Sequence, residues 1–288
     1  MKDIDFDIDM ALNIPISHRF CEYSPVFSNT CENLEEVEKI INYNNKSILV
    51  PLSSGDQYLF SLYKNASNVT TYDINKLTKY YANLKIAAIK TFDNLNDFIP
   101  FLITDRIQLF DTKKEYIYKV LDNLDKDDLY FWKNYLLKTS KIQMKKLVTN
   151  KTNRFDLEYI KCGLPFYSDN NEYKKLRNKL KNPKFINTDL YDIANILNES
   201  FDVIDLSNII STDICNNMYD DIYSDVDINW GNVLKNIISK NLNKNGSMIV
   251  DYSYDTNNKF GFCVLESAKE YKIKSKNNTT DSVFIYKK

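Results

Sequence analysis

The sequence predicts an α/β protein built on a doubly wound sheet of seven strands. The sheet is expected to be mostly parallel, with a C-terminal antiparallel edge hairpin and a helical insertion between strands 2 and 3. Three observations carry this. First, the apolar run Ile48, Leu49, Val50 and Leu52 leads into a Ser53-Ser54-Gly55-Asp56 turn, then a helix-like segment, then a second β-rich run, Val69 to Tyr72, that ends on Asp73. Second, β and α patterns alternate again from Lys184 onward. Third, Leu95 to Lys181 shows the helical period without strand alternation.

The elements follow in order. The first dozen residues read as a loosely docked tail. Ser28-Asn29-Thr30 is placed to cap a helix through Leu34, Val37, Ile40 and Ile41, with Glu32 just after the cap. After the first strand–turn–helix–strand unit, Leu77, Tyr80, Tyr81, Leu84, Ala87 and Ala88 make one helical apolar stripe, and the small Ala87-Ala88 pair permits close approach to a sheet. The insertion carries DFIPFLITDRIQLF, KKEYIYKVLDNL and DDLYFWKNYLLK, punctuated later by Gly163 and Pro165. Strands are then expected at Lys184–Asp189, Phe201–Ile210 and Ser247–Tyr252, the last entered through an Asn243–Gly246 turn. Trp230, Val233, Leu234, Ile237 and Ile238 mark the helix between the last two. The hairpin is expected from Gly261–Glu266 and Ser282–Tyr286. The domain division is 1–32 as an N-terminal tail or cap, 33–94 with 183–288 as the sheet domain, and 95–182 as the insertion.

Bulk properties narrow the function. The 288 residues suffice for one large domain, and a 43% hydrophobic content supplies a core. A net charge of −1 argues against a general phosphate-neutralising surface, so no nucleic-acid partner is expected. No apolar run reaches the roughly 18 residues a membrane span needs. MKDIDFDIDM has no apolar core of a secretory signal. Five cysteines without a CxxC pair read as reduced thiols, hence a cytoplasmic location. With one histidine and scattered cysteines, no metal site is expected.

The chemistry centres on Ser53 to Asp73. A carboxylate about 20 residues after a glycine turn, at the tip of the next strand, can accept both ribose hydroxyls of an adenosine-containing cofactor. Asp73 holds that position, with a surface acid or cap as the other reading. Gly55 supplies close backbone approach or positive φ. Ser53 and Ser54 offer hydroxyls. Asp56 is read either as an acceptor for a cofactor ammonium or as the cap of the following helix. Ser207 and Asn208 end the fourth strand at the carboxyl edge, where ligands of open sheets sit. His18 and Asn208 are the candidate catalytic groups. Arg19 and Tyr23 are candidates to fold over a ligand, Arg19 by a bidentate carboxylate contact. Phe98, Phe101, Tyr116, Tyr130, Phe131 and Trp132 read as core, with an acceptor pocket as the alternative. Lys145, Lys146, Lys151 and Arg154 read as a solvated basic face.

With these segments laid out, the chain resembles the Rossmann-like class I S-adenosylmethionine-dependent methyltransferase superfamily. Within it, the chain is most similar to the proteins grouped with S-adenosylmethionine:diacylglycerol 3-amino-3-carboxypropyltransferase. The carriers are SSGDQ at Ser53–Gln57, YDIN at Tyr72–Asn75, LKIAAI at Leu84–Ile89 and DLSNII at Asp205–Ile210. The resemblance covers Leu34 to Ile89 and Phe185 to Tyr286. One departure is a turn with Gly55 as its single glycine. The resemblance implies S-adenosylmethionine as cofactor, held by Ser53, Ser54, Gly55, Asp56, Asp73, Ile74, Asn75, Asp189, Leu190, Ser207 and Asn208. In it, Asp189 binds the adenine amino group and Leu190 packs on the ring. It also implies a transferase that moves a methyl or a 3-amino-3-carboxypropyl group to a small-molecule or lipid acceptor. The rival reading is a non-catalytic S-adenosylmethionine-binding module or a degenerate scaffold. A dinucleotide oxidoreductase fits less well, because it expects a fuller glycine fingerprint.

Overall fold

The computed structural model describes residues 2–14, 21–103, 118–140, 147–149, 157–211, 223–254, 265 and 267–288. Its central feature is a mixed seven-stranded sheet. The strands are β2 (Ser47–Pro51), β3 (Asn68–Asp73), β5 (Lys184–Asn187), β6 (Phe201–Asp205), β7 (Leu242–Ser253), β8 (Lys269–Lys274) and β9 (Thr280–Lys287), in the order β5-β3-β2-β6-β7-β9-β8. A separate short bridge pairs β1 (Val26–Phe27) with β4 (Val148–Thr149) in parallel. The stretch expected to be helical throughout therefore contributes one two-residue strand, too short to leave a sequence period.

Residue type explains the sheet. Ile48, Leu49 and Val50 are fully buried, as a central parallel strand covered on both faces requires. β2 pairs in parallel with β3 (Leu49 with Thr70) and with β6 (Leu49 with Ile204), and β6 pairs in parallel with β7 (Asp205 with Ile249). Strand order thus reverses between β2 and β6, which makes a topological switch point. β9 runs antiparallel to β7 and β8 antiparallel to β9. β8 carries Lys269, Glu270, Lys272 and Lys274 exposed, and charges of this kind blunt an outer strand against pairing with other chains.

Several boundaries differ from expectation. The hairpin forms from Lys269–Lys274 and Thr280–Lys287. Its turn is set by Asn278 at φ +59° and by Ser275 Oγ, which accepts the N–H groups of Asn277 and Thr279. Of the expected partner 261–266, only Leu265 is among the described residues. β6 stops at Asp205 because Ser207 adopts φ +54°. β5 ends at Asn187, short of Asp189. β7 starts early, at Leu242, and absorbs the Asn243–Gly246 turn as a register shift against β6. A Cβ at Gly246 would lie 2.8 Å from the Asn243 carbonyl oxygen, so the bulge needs glycine.

Contacts divide the chain into two compact units. One comprises Met1–Thr30, Leu52–Tyr63 and Asp73–Asn187; the other comprises Cys31–Pro51, Lys64–Tyr72 and Thr188–Lys288. The first unit holds α1 (Lys2–Leu12), α3 (Asp56–Tyr63), α4 (Leu77–Thr91), α5 (Leu95–Ile103), α6 (Lys126–Lys138), α7 (Leu157–Lys161) and α8 (Asn170–Arg177). Its core is aromatic. Tyr80 stacks on Phe131 at 3.8 Å, Phe131 meets Trp132 edge-on, and Phe98 packs with Tyr167 and Tyr173. Phe98, Phe131 and Trp132 are buried core residues. Tyr130 instead donates to Asp5 at 2.9 Å on the surface. The side chain of Phe101, along with Tyr116, Lys145, Lys146, Lys151 and Arg154, lies outside the described residues.

The first dozen residues are not a loose tail. They form α1, whose Asp7 carboxylate accepts the phenols of Tyr23 (2.5 Å) and Tyr80 (2.7 Å). Ile8 and Ala11 are buried, which gives α1 an apolar face despite its acidic composition.

The second unit holds α2 (Leu34–Glu38), α9 (Ile193–Ile196) and α10 (Tyr223–Asn241), with β2, most of β3, and β6 to β9. α2 is shorter than the periodicity suggests. Its cap is Asn33, which accepts from the Glu36 N–H, and not the Ser28–Thr30 segment. α10 carries Trp230, Leu234 and Ile237 inward, as its spacing predicts.

Candidate functional site

In the first unit, the expected turn and the expected carboxylate meet. The Ser53 N–H donates to Asp73 Oδ2 at 2.9 Å, and the Asn75 N–H donates to Asp73 Oδ1 at 2.9 Å. The turn is tight: the Gly55 N–H donates to the Leu52 carbonyl at 2.6 Å, Ser53 has φ +42° and Gly55 has φ +84°. A Cβ on Gly55 would sit 3.3 Å from Ala82 Cβ, so α4 approaches the turn closely only because glycine is there. The small residue facing the turn is Ala82, while Ala87 and Ala88 are buried elsewhere on α4.

Asp73 is well fixed. The Asn187 side-chain amide donates to the carbonyls of Asp73 (2.9 Å) and Ile74 (2.8 Å), which pins the backbone at the strand tip. Desolvation pushes the Asp73 carboxyl up to about 6, against the lowering effect of the Asn75 and Ser53 N–H groups and the Thr78 hydroxyl. Each carboxylate oxygen has a further acceptor site beyond its N–H partner. A vicinal diol therefore matches what remains.

Two expected contacts turn inward. Asp56 is fully buried and forms an ion pair with Lys85 Nζ at 3.0 Å. Its carboxylate also accepts the Thr30 N–H (2.8 Å) and the Ser54 hydroxyl (3.0 Å). Lys85 Nζ donates in addition to the Ser28 carbonyl at 2.8 Å and lies over the Tyr81 ring. Burial pushes the Lys85 ammonium down, and the Asp56 carboxylate beside it opposes that. Asp56 is thus not an open acceptor for a cofactor ammonium, and Ser54 serves Asp56. The reason is the lysine on α4, which claims both. Asn75 is likewise committed: its side chain bonds Ser24 and accepts the Leu77 N–H at the start of α4. Tyr23 is buried on Asp7 and does not fold over an open site. His18 and Arg19 lie outside the described residues.

In the second unit, Ser207 Oγ donates to the buried carboxylate of Glu32, and the Ser207 N–H donates to Asp205 Oδ1 at 2.7 Å. The Tyr252 N–H donates to the Ser207 carbonyl at 2.8 Å, and the Tyr252 phenol donates to Asp281 Oδ2 at 2.8 Å while accepting the Asn33 N–H. Burial pushes the Asp205 carboxyl up to about 6, opposed by the Ser207 N–H. Asn208 is half-buried beside Ser207. Asp189 accepts the Asp192 N–H at 2.9 Å and so caps a turn, while Leu190 is buried in the core. The adjacent Tyr191 is partly exposed and its ring packs on Trp230 at 5.1 Å.

Sequence reasoning missed Lys85, Asn187 and Glu32. Lys85 had a signal: with Leu77 and Tyr81 it occupies an i, i+4, i+8 row on an otherwise apolar face. Among the described residues, no group of three or more His, Cys, Asp or Glu is arranged to hold a metal ion, and no helix is long and apolar enough to cross a membrane. No protein-family model matches the chain, and no curated protein sequence matches it.

Proposed function

We propose that the chain is an S-adenosylmethionine-dependent transferase that moves a methyl or 3-amino-3-carboxypropyl group to an acceptor. The observation that carries this reading is the 2.9 Å hydrogen bond from the Ser53 N–H to Asp73. It joins a positive-φ glycine turn to a carboxylate at the next strand tip, the pairing that a ribose and its neighbouring groups require. The reversal of strand order between β2 and β6 supports the same reading, as does the antiparallel C-terminal hairpin that the sequence alternation predicts.

The residues fit the adenosine half best. Asp73 has acceptor capacity for the ribose hydroxyls, and Gly55 lets backbone come close. Bound S-adenosylmethionine supplies a sulfonium whose attached carbons are electrophilic, so the protein's task is chiefly to position an acceptor in line. Asp189, Leu190, Ser207 and Asn208, which the resemblance also implies, belong to the second unit, where Asp189 caps a turn and Leu190 is buried. The acceptor is a small molecule or a lipid. A specific observation favours the alternative of a non-catalytic binding module: Ser54 and Asp56, which would hold the methionine part, are consumed by Lys85.

Calorimetric titration with S-adenosylmethionine, S-adenosylhomocysteine and methylthioadenosine tests this. Binding is expected, and Asp73→Ala is expected to abolish it while the circular dichroism spectrum stays unchanged. Preference for methylthioadenosine over S-adenosylhomocysteine would favour aminocarboxypropyl transfer; the reverse favours methyl transfer. Failure of all three ligands to bind would overturn the cofactor assignment.

A further inference from the structure

A second buried acid of the first unit, away from the turn, presents an unsolved polar balance. Asp128, at the start of α6, is fully buried. Its Oδ2 accepts from the Asn83 side-chain amide of α4 at 2.6 Å. Asn83 is itself 5% exposed. Two oxygens of this pair, Asp128 Oδ1 and Asn83 Oδ1, are buried without a hydrogen-bond partner among the described residues. Both are acceptors when Asp128 is ionised, so neither can satisfy the other. Leaving buried acceptors unpaired is destabilising, because each has given up its hydrogen bonds to water.

One proton resolves both. We propose that Asp128 is a carboxylic acid in the folded protein, donating from Oδ1 to Asn83 Oδ1, so that carboxyl and amide close a cyclic pair that clasps α6 to α4 and opens when the proton leaves. The amide donates to one carboxyl oxygen and accepts from the other, which uses every polar atom of both groups on that edge. The same α4 face carries the Tyr80 phenol, bound to Asp7 of α1, one turn before Asn83. Trp132 of α6 donates its indole N–H to the Tyr80 carbonyl at 3.0 Å. The clasp therefore sits within the packing that holds α6 and α1 on α4 and biases it with pH.

The groups facing Asp128 act in both directions, and those that hold the proton outweigh those that release it. From its own capping turn, the Asp125 carboxylate, whose Oδ1 accepts the Asp128 N–H at 3.0 Å, favours the proton. From α4, Lys79 opposes it, the Asn83 amide that donates to the carboxyl also favours the ionised form, and Tyr80 is a neutral phenol. From α1, Asp7 lies on Tyr80 and Asp5 on Tyr130. Desolvation is the largest influence and pushes the Asp128 carboxyl up to about 7. A carboxyl raised above its unfolded value of roughly 3.9 adds stability that is complete below that value and disappears as pH climbs to the folded value.

The test is infrared difference spectroscopy of the full chain, wild type against Asp128→Asn, with thermal midpoints from pH 4 to 8. A protonated-carboxyl band is expected in the wild type at pH 5, absent from Asp128→Asn and lost near pH 7. The wild-type midpoint is expected to fall over the same range by more than that of Asp128→Asn. Absence of the band at pH 5, or equal pH slopes, would overturn the proposal. Asp125→Asn keeps a capping oxygen on an exposed residue, so it folds even if Asp128→Asn does not. It is expected to move the loss of the band to lower pH, and an unmoved band would also count against the assignment.

Discussion

Asp56 and Asp128 are both fully buried acids that face α4, yet the helix treats them differently. It meets Asp56 with an ammonium, Lys85, and Asp128 with an amide, Asn83. Residues 83 and 85 point to nearly opposite sides of a helix, about 200° apart, so one helix serves two acids on two faces. Taking a carboxylate out of water costs several kcal/mol, which a nearby cation in good geometry offsets and a neutral amide does not. Where α4 supplies a cation, an ion pair forms and fixes the glycine turn. Where it supplies an amide, the acid is left to capture a proton. The difference separates a permanent support from a condition-dependent one, and it arises from a single residue choice on each face.

The largest way to break the contrast is to remove the cation. Lys85→Met is expected to lower stability by about 3–5 kcal/mol in equilibrium urea unfolding, because it strands a buried charge. Adding Asp56→Asn, which keeps an acceptor for the Thr30 N–H, should restore more than half the loss. A double variant no better than Lys85→Met would show that the lysine acts by packing alone.

A smaller effect is expected at an intermediate case. Asp7 is held by two phenols, neither cation nor amide. Asp7→Ala leaves two buried hydroxyls without their acceptor and should cost about 2 kcal/mol in the same unfolding assay. Asp7→Asn, with one carbonyl acceptor, should recover part of it. If Asp7→Ala were silent, α1 would be the loosely docked tail that its acidic sequence suggests.

These acids also show what a sequence reading can reach. The strand–turn–helix–strand unit was readable because its signal is local: an apolar run, one glycine, and Asp73 at the right separation. β2, β3, β6 and β9 follow for the same reason. The partner of each buried acid was not readable. Lys85 lies 29 residues from Asp56, Asn83 lies 45 from Asp128, and Glu32 lies 175 from Ser207. Nothing in the local spacing around Asp56 separates a ligand contact from an internal ion pair; only the placement of α4 does. The hairpin was displaced for a related reason. KEYKIK alternates as well as the preceding segment does, and the Ser275–Asn278 turn decides between them through side-chain bonds that periodicity does not register.

The smallest expected effect sharpens the comparison at the site itself. The Asp73 carboxylate has neither cation nor amide; two backbone N–H groups and the Thr78 hydroxyl hold it, and desolvation places its carboxyl at about 6. The ionised form is the one that accepts a ribose diol alongside those N–H groups, since a protonated oxygen loses one acceptor site. Affinity for S-adenosylmethionine should therefore rise roughly tenfold between pH 5 and pH 7 and level off above, as expected for a single group ionising near 6. The sign is opposite for folding. With its folded value above the unfolded value of roughly 3.9, Asp73 contributes stability that is complete below the unfolded value and gone above the folded one. Binding and stability should thus move in opposite directions over the same pH range. Asp73→Asn should flatten both profiles. Calorimetric titration and thermal unfolding at matched pH values measure the two, and an affinity that is flat from pH 5 to 7 would remove Asp73 from the binding site while leaving the Ser53 contact as a purely structural bond.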